Sequence, residues 1–302
     1  MAAELSWAMK FAMSRENIFR WIGAGAAFGT LGVLVWLENR RPLRRSVESK
    51  MIRGGRNLAV AGVSAIALHL IETPVANRLT KLVERKNWGL LKTARLPRAL
   101  ETILAVALLD YTLYVWHVFT HRVPFLWRFH LVHHVDLDLD ASTALRFHFA
   151  EIVISVSWRA AQIMIIGVSP ASFAAWQMLL FPSILFHHSN VRLPVDFERK
   201  LQKFIVTPRM HGIHHSAVEH ETHSNWSSGL SVWDRLHGTL KTDVAQNEIT
   251  IGVPAYQNPD AVVLTKILSM PFEKQKPNSQ FSEAESIKKN EPPVVNHHSR
   301  AQ

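Results

Sequence analysis

Five apolar stretches in the first two thirds of the chain predict helices that enter a membrane. The first, 21–37, runs for 17 residues without a charge, has Trp at both ends and precedes a basic run, as membrane spans often do. The other four cover 58–71, 102–116, 152–168 and 171–186. Ser169 and Pro170 separate the last two, which predicts a hairpin that returns to one side of the bilayer. The alternatives are a cleaved signal peptide for the first stretch and a soluble helical pair for the hairpin.

Positive charge is concentrated beside these stretches. The 302 residues include 34 Lys+Arg and 24 Asp+Glu, a net charge of +10, of which 38–56 contributes +5 and 73–98 contributes +6. Basic segments next to apolar helices are typical of loops that meet anionic lipid headgroups. Nucleic-acid binding is disfavoured because no recognisable binding motif accompanies the basic runs. We expect 38–56 to be cytoplasmic; 73–98 is then an interfacial helix, or the second stretch does not cross the membrane.

Histidine carries the candidate chemistry of this chain. The absence of cysteine excludes disulfides, thiolate nucleophiles, Fe–S clusters and Cys-ligated zinc. Of 17 histidines, 14 lie between His117 and His237. They fall into groups spaced by three or four residues, which places each group on one face of a helix. The groups are His117 and His121; His130, His133 and His134; His187 and His188; and His211, His214 and His215, with His148 alone.

This spacing predicts a dinuclear metal site. The eight imidazoles of the three main boxes are twice what one tetrahedral zinc uses. Zinc hydrolysis is disfavoured because no box has the Glu of H-E-x-x-H. A nearly all-nitrogen ligand set leaves bound metals highly positive and strongly oxidising. The isolated His69, inside the second apolar stretch, is predicted instead to be a hydrogen-bonded core residue.

The boxes and their linking sequences resemble the fatty acid hydroxylase and sterol desaturase superfamily of membrane di-iron oxygenases. The matching segments are HRVPFLWRFHLVHH, TALRFH, FHHSNVRLP, TPRMHGIHHS and WDRLHGT, between about Leu109 and Thr239. Acyl desaturases separate their first two boxes much more widely than the eight residues between His121 and His130. The resemblance therefore favours the hydroxylase branch. Phe149, Trp226 and His237 depart from residues common in that branch, at packing or substrate positions.

The resemblance also implies a ligand set and an architecture. The implied metal ligands are His117, His121, His130, His133, His134, His211, His214 and His215, with His148 and His188 as additional ligands or close supporting groups. His187 is doubtful. The expected fold is all-α: about four transmembrane helices arranged as hairpins, under a cytosolic histidine-rich helical cap. Its regions are an N-terminal membrane anchor (1–98), a catalytic domain (99–245) and a C-terminal extension (246–302) that is disordered from about 273.

Several polar residues near the boxes are candidates to orient the imidazoles, because a metal-bound histidine normally donates its second N–H to an acceptor. The carboxylate candidates are Asp110, Asp136, Asp140, Glu151 and Asp234. Arg146 and Asn190 are expected to brace the site.

The expected function is that of an O2-dependent lipid monooxygenase with two Fe ions, which hydroxylates or desaturates a fatty-acyl, sterol or related lipid. No nicotinamide or flavin motif is recognisable. Electrons, ultimately from NAD(P)H, are therefore expected from a separate protein, a b-type cytochrome or a ferredoxin with its reductase, with Arg40–Arg56 as a possible docking surface. The alternative is an inactive membrane protein that uses the histidines as a structural zinc site.

Overall fold

The protein is a bundle of long helices that carries short helices and loops at one end. A computed structural model describes residues 15–277 and 279. Within those residues β-structure is limited to three isolated bridges, which confirms the all-α prediction. The long helices are α1 (Arg15–Arg40), α2 (Lys50–Ala67), α3 (Thr73–Lys86), α5 (Arg98–Arg122), α7 (Phe149–Ile166) and α8 (Pro170–His188). The short helices are α4 (Leu90–Thr93), α6 (Pro124–His134), α9 (Val195–Leu201), α10 (Pro208–His214), α11 (Glu219–Thr222), α12 (Val232–Leu236) and α13 (Leu264–Ser269).

Three helical elements are long and apolar enough to cross a bilayer. They are Lys50–Thr93, in which a π-helical segment (Leu68–Glu72) joins α2 to α3 and α4 follows, Arg98–Arg122 and Phe149–Ile166. They contain the second, third and fourth apolar stretches of the sequence. The membrane character is therefore confirmed, whereas the number of four spans stays a prediction. The first stretch, 21–37, lies within α1, and its first side chains are outside the described part.

The predicted hairpin of α7 and α8 is present. Gly167 ends α7 with a φ of +85°, and Ser169 caps α8 by accepting a hydrogen bond from the Ser172 N–H at 3.1 Å. A Cβ on Gly89 would lie 2.3 Å from the Gly167 Cα, so this turn needs a glycine against the chain that enters α4. The hairpin packs on α3 and α5 through a core that includes Leu109 and Ile163. This core holds the carboxyl ends of α5 and α8, with their histidines, side by side.

The cap is centred on the short helix α6, in which Trp127 and all residues from Phe129 to His134 are buried. Trp127, Leu131 and Val132 of α6 pack against Val253 and other apolar residues of 253–270. The C-terminal region thereby covers the helix that carries the second histidine box. The disorder predicted from 273 concerns mainly residues outside the described part of the chain.

Two sequence-based interpretations are wrong. Arg53 and Arg56, expected in a lipid-facing or docking segment, are 0% and 8% exposed and form ion pairs inside the cap. The reason is that α2 continues from the loop into the bundle, so one face of its first turns meets the loop after α6. His69 was predicted to be buried but is exposed on the π-helical segment. Arg40, Arg41 and Arg45 are exposed as expected.

Candidate dinuclear metal centre

Four helix ends deliver the histidine boxes to one point. His117 and His121 occupy the last two turns of α5, and His188 ends α8. Val123 is extended and Pro124 begins α6, so the chain reverses direction immediately after the first box, as Pro at the first helical position favours. The second box thereby faces the first across a short turn. The third box lies on α10 and the residue after it.

Eight histidines form two sets of four, and all eight are buried. Set A comprises His117, His121, His134 and His214; set B comprises His133, His188, His211 and His215; within each set one ligand nitrogen per residue lies within 4.8 Å of the others. Adjacent residues belong to different sets, since His133 and His134 divide between B and A, as do His215 and His214. Successive helical residues point about 100° apart. Each short helix therefore supplies both sets.

In set A, the imidazoles of His117 and His214 direct nitrogen lone pairs at each other. His117 donates its Nδ1–H to the Trp226 carbonyl at 2.7 Å, and His214 donates its Nδ1–H to the Ser224 carbonyl at 2.8 Å. A carbonyl only accepts, so in the neutral ring each Nε2 is left without a hydrogen. Yet the two Nε2 atoms are 3.1 Å apart. Such a contact is repulsive unless a cation lies beside both nitrogens.

In set B the same conflict arises from a chain of contacts. His188 donates its Nδ1–H to the Ile184 carbonyl at 2.8 Å, so its Nε2 also carries a lone pair. That Nε2 lies 3.0 Å from the Nε2 of His133 and 2.9 Å from the Nε2 of His211. One ring nitrogen with one lone pair cannot satisfy both neighbours. Nitrogens about 2.1 Å from a shared metal lie roughly 3 Å from each other, so this spacing fits coordination.

Further buried nitrogens lack protein partners. Both ring nitrogens of His121, and the Nε2 of His130 and of His134, have no hydrogen-bond partner in the described structure. Leaving polar atoms buried and unpaired costs about 1–3 kcal/mol each. The Nδ1 atoms of His133, His211 and His215 also lack acceptors. Phe147 stacks on the His133 ring at 4.5 Å, so packing fixes that imidazole where a hydrogen bond does not. The donor set thus fits two cations better than it fits an empty core.

His130 lies between the two sets and belongs to neither. Its Nδ1–H donates to Glu151 Oε1 at 2.8 Å, which leaves a buried Nε2 lone pair. Its ring centroid is 5.2 Å from those of His117 and His133. The position allows His130 to serve either metal. Glu151 is the one predicted carboxylate among Asp110, Asp136, Asp140, Glu151 and Asp234 that bonds directly to a box histidine in the described structure.

His148 and His187 lie outside both sets. His148 accepts a hydrogen bond from the Ala150 N–H at 3.1 Å and donates from Nε2 to the Leu268 carbonyl at 3.1 Å, so both of its nitrogens are engaged by backbone. His187 packs on His211 with ring centroids 4.2 Å apart. The structure thus brings together eight of the ten predicted ligands, places His130 beside them and leaves His148 apart.

The electrostatics keep the cap histidines neutral. Burial and neighbouring imidazoles lower the pKa of His133, His134 and His214 well below the ordinary value. Neutral imidazole is the form that binds metals. The site therefore holds its ligands ready without needing a base.

Asp234 orients a ligand through the backbone. Its two carboxylate oxygens accept the N–H groups of Trp226 and Ser227 at 2.8 and 3.1 Å. This loop supplies the Trp226 carbonyl that fixes the His117 tautomer. Asp234 is thus a positioning residue that does not itself touch an imidazole. Sequence reasoning missed the carbonyls of Ser224 and Trp226, because a backbone acceptor leaves no signal in residue type.

The other predicted bracing residues also bond to backbone or to each other. Asp110 accepts hydrogen bonds from the Leu230 N–H and Trp233 Nε1, at 2.9 and 2.8 Å. Arg146 donates from Nε to the Val132 carbonyl at 2.7 Å, next to His133. Asn190 accepts the Arg44 N–H at 2.8 Å beyond the end of α8. All are buried, and each fixes a segment next to a box.

A buried charge network ties α2 to the loop after the second box. Arg53 donates to Asp136 Oδ2 at 2.9 Å, bonds to Asp140 and lies 3.8 Å from Asp138. Arg146 and Arg56 approach Asp136 Oδ1 at 3.6 and 3.7 Å. Although burial alone would raise it, Arg53 and Arg146, with hydrogen bonds from Asn57 and Thr143, hold the pKa of Asp136 below its usual value. The network fixes the segment that directly follows His133 and His134.

Comparison with known proteins finds similarity to one family over the part of the chain that carries the site. Residues 102–239 match the fatty acid hydroxylase family model. The chain is 29% identical over 158 residues to ornithine lipid hydroxylase OlsE of Rhizobium tropici, covering 52% of this chain and 46% of the relative. It is 27% identical over 139 residues to human alkylglycerol monooxygenase (46% and 29%), and 32% identical over 142 residues to a cholesterol 25-hydroxylase-like protein of Danio rerio (44% and 52%). The chain thus spans about half or less of these relatives. No solved structure matches.

Proposed function

We propose, from the match of residues 102–239 to the fatty acid hydroxylase family model, that the protein is a membrane-bound di-iron enzyme that uses O2 to hydroxylate a lipid. One oxygen atom enters an unactivated C–H bond, and the other leaves as water with two external electrons and two protons. Desaturation by the same site would remove two hydrogens instead. The relatives' names specify ornithine lipids, alkylglycerols and cholesterol, so the substrate class proposed here is a membrane lipid.

The observation that carries the proposal is the pair of opposed lone pairs at His117 and His214, repeated around His188. Neutral imidazoles packed this way are stable only around cations, and the two sets call for two. Sets A and B would each hold one iron, and the remaining Nε2 lone pair of His130 could bind one of the two. When bound, the two irons supply the redox chemistry that activates O2 with external electrons.

The protein's own contribution is orientation and exclusion of water. Carbonyls of Ile184, Ser224 and Trp226 fix the tautomers of His188, His214 and His117. Trp226, 2% exposed, packs its ring edge-on against those of His117 and His121. Such a wall keeps water from the reacting carbon and protects the oxidising centre. The lipid is proposed to enter from the bilayer beside α5 and α8, with the site on the cytoplasmic face.

We propose that the reductant comes from a separate carrier, a b-type cytochrome or a ferredoxin with its reductase. The exposed arginines Arg40, Arg41 and Arg45 offer a positive surface for an acidic carrier. Arg53 and Arg56 are not part of that surface because they are buried.

The test combines metal analysis with lipid analysis of the full-length protein. We expect about two irons per chain, O2 consumption that depends on a reductase system, and a lipid shifted by one oxygen in cells that express the protein. The variants His117→Ala, His133→Ala and His214→Ala should each abolish that product. His220→Ala is the matched control, because the His220 side chain is 65% exposed.

A structural zinc site is the competing outcome. Tightly bound zinc that iron does not replace, with no lipid oxidised under any electron donor, would refute the enzymatic proposal. A protein that binds two irons and oxidises no lipid of the three relatives' classes would refute the proposed substrate class alone.

A further inference from the structure

We propose that residues 195–205 and 230–236 form a surface that enters the bilayer beside α5, with a basic rim that contacts anionic phospholipid headgroups. We call it the insertion surface. It goes beyond the proposed function, because it depends only on α5 being a membrane span and not on the chemistry of the site.

Residues 229–233 contact α5 far from the end that carries the first histidine box. Asp110 precedes His117 by seven residues, which places it about 10 Å nearer the N-terminus of α5. The Leu230 N–H and the Trp233 indole both donate to this carboxylate, at 2.9 and 2.8 Å. Gly229 lies so close that a Cβ on it would be 2.3 Å from Asp110 Oδ1. The segment 229–233 therefore lies beside the interior of a candidate span (98–122), well past the end that carries the metal site.

Contacts with α8 place the neighbouring loop at a similar level. Ser183 lies five residues before His188 on α8, and its hydroxyl donates to the Ser228 carbonyl at 2.9 Å. Residue Phe204 is held at this level, because its carbonyl accepts the Ser231 N–H at 3.1 Å. Ile205 forms a bridge with Leu230. The two parts of the insertion surface are thus joined to each other below the metal site.

The exposed side chains of this surface are large and apolar. Phe204 is 69% exposed, Leu236 67%, Phe197 55% and Val195 54%. Apolar area left in water is unfavourable relative to the same area buried. Large exposed apolar side chains grouped on two joined segments mark an interaction surface. The bilayer is the occupant that is already present at this depth beside α5.

The charges around the patch favour an anionic lipid surface. Lys200, Lys203 and Arg235 are exposed at its border. Of the two acidic residues in α9, Asp196 pairs with Arg199 at 3.1 Å and Glu198 is buried against Arg209 at 2.7 Å. The rim is therefore net positive. Cations near an anionic headgroup layer are attracted to it, and long basic side chains reach the headgroups while their stems stay in apolar surroundings.

The chain contains no cysteine, so single spin labels can be placed without a background. The labelled variants are Phe204→Cys and Leu236→Cys, in the full-length protein in lipid nanodiscs. Ile103→Cys, 64% exposed on α5, is the lipid-facing reference. Asp243→Cys, with a 76% exposed side chain, is the water-facing reference. The measurement is the collision of each label with O2, which concentrates in the bilayer, and with a water-soluble nickel chelate.

We expect the labels at 204 and 236 to resemble Ile103→Cys, with O2 collisions dominating. Labels that collide with the nickel chelate as Asp243→Cys does would place the surface in water and overturn the proposal. Labels shielded from both reagents would show a covering protein and overturn it equally. Because no turnover is measured, failure here leaves the proposed enzymatic function untouched.

The basic rim is tested by lipid composition. We expect the label at 204 to move deeper when anionic phosphatidylglycerol is added to zwitterionic lipid, and the shift to be lost in a Lys200→Gln/Lys203→Gln background. If the depth of the label at 204 is independent of lipid charge both with and without the Lys200→Gln/Lys203→Gln substitutions, the proposed headgroup contact is wrong.

Discussion

Replacing Arg53 by Met should destabilise the cap strongly, although Arg53 touches no histidine. The substitution keeps the apolar stem of the side chain and removes the cation from three carboxylates. Breaking a buried ion pair by removing one partner typically costs about 3–5 kcal/mol. Asp136 would retain Arg146 and Arg56 at 3.6 and 3.7 Å, and Asp138 would retain the Val47 and Glu48 N–H groups. Asp140 loses its one cation within ion-pair distance. We therefore expect a loss near the lower end, about 3 kcal/mol.

The assay is unfolding of the purified protein in detergent, followed by helical circular dichroism, with metal content measured on the same samples. Arg45→Met is the matched control, because Arg45 is exposed in the same basic segment and surface changes usually stay within about 0.5 kcal/mol. Arg53→Lys should be intermediate, since it keeps the charge and loses the forked geometry. Metal occupancy should fall with Arg53→Met, because the loop after His133 and His134 loses its tie to α2.

The stability contributed by Asp136 depends on pH in a predictable direction. The pKa of Asp136 is lowered in the folded protein. Its contribution to stability is therefore present above the unfolded-state pKa and disappears as the pH falls through the folded value. Acidification should narrow the difference between the native protein and Arg53→Met. If Arg53→Met is no less stable than Arg45→Met at neutral pH, the buried network does not hold the cap and the reasoning is wrong.

Three further outcomes are expected. Asp234→Asn should lower iron occupancy by loosening the 224–227 loop, because the new amide NH2 would face backbone donors at Trp226 or Ser227; occupancy equal to that of the native protein, by metal analysis, would contradict this. Gly229→Ala should destabilise the fold, because its Cβ would lie 2.3 Å from Asp110 Oδ1. The control Gly62→Ala, whose Cβ would have nothing within 4 Å, should be neutral or stabilising by up to about 1 kcal/mol. Equal melting temperatures for the two variants would count against the close packing at Asp110. His148→Ala should keep both metals, because backbone groups occupy both nitrogens; loss of one metal on purification would restore His148 as a ligand.

The spacing of the boxes allowed the metal site to be predicted, because helix geometry puts residues three and four apart on one face. What spacing does not reveal is which box members share a metal: His133 and His134 go to different sets, a result of how α6 is rotated against α10. The role of Arg53 was misjudged for a similar reason. Its partners Asp136 and Asp140 lie more than 80 residues away, and a basic residue next to an apolar stretch has the same local pattern whether it meets lipid or a buried carboxylate.

Because His133 and His134 belong to different sets, as do His214 and His215, the same two helical segments carry ligands of both sets. A translation or rotation of α6 moves one ligand of each set at once, and the same holds for α10. The spacing between the two sets is consequently set by two short helices, α6 with 11 residues and α10 with 7 residues. Strain applied at one set, for example by a lipid pressing on Trp226, is transmitted to the other without any hinge. If each set holds one ion, we expect the second ion to bind more tightly than the first, because the first ion already orders ligands of both sets.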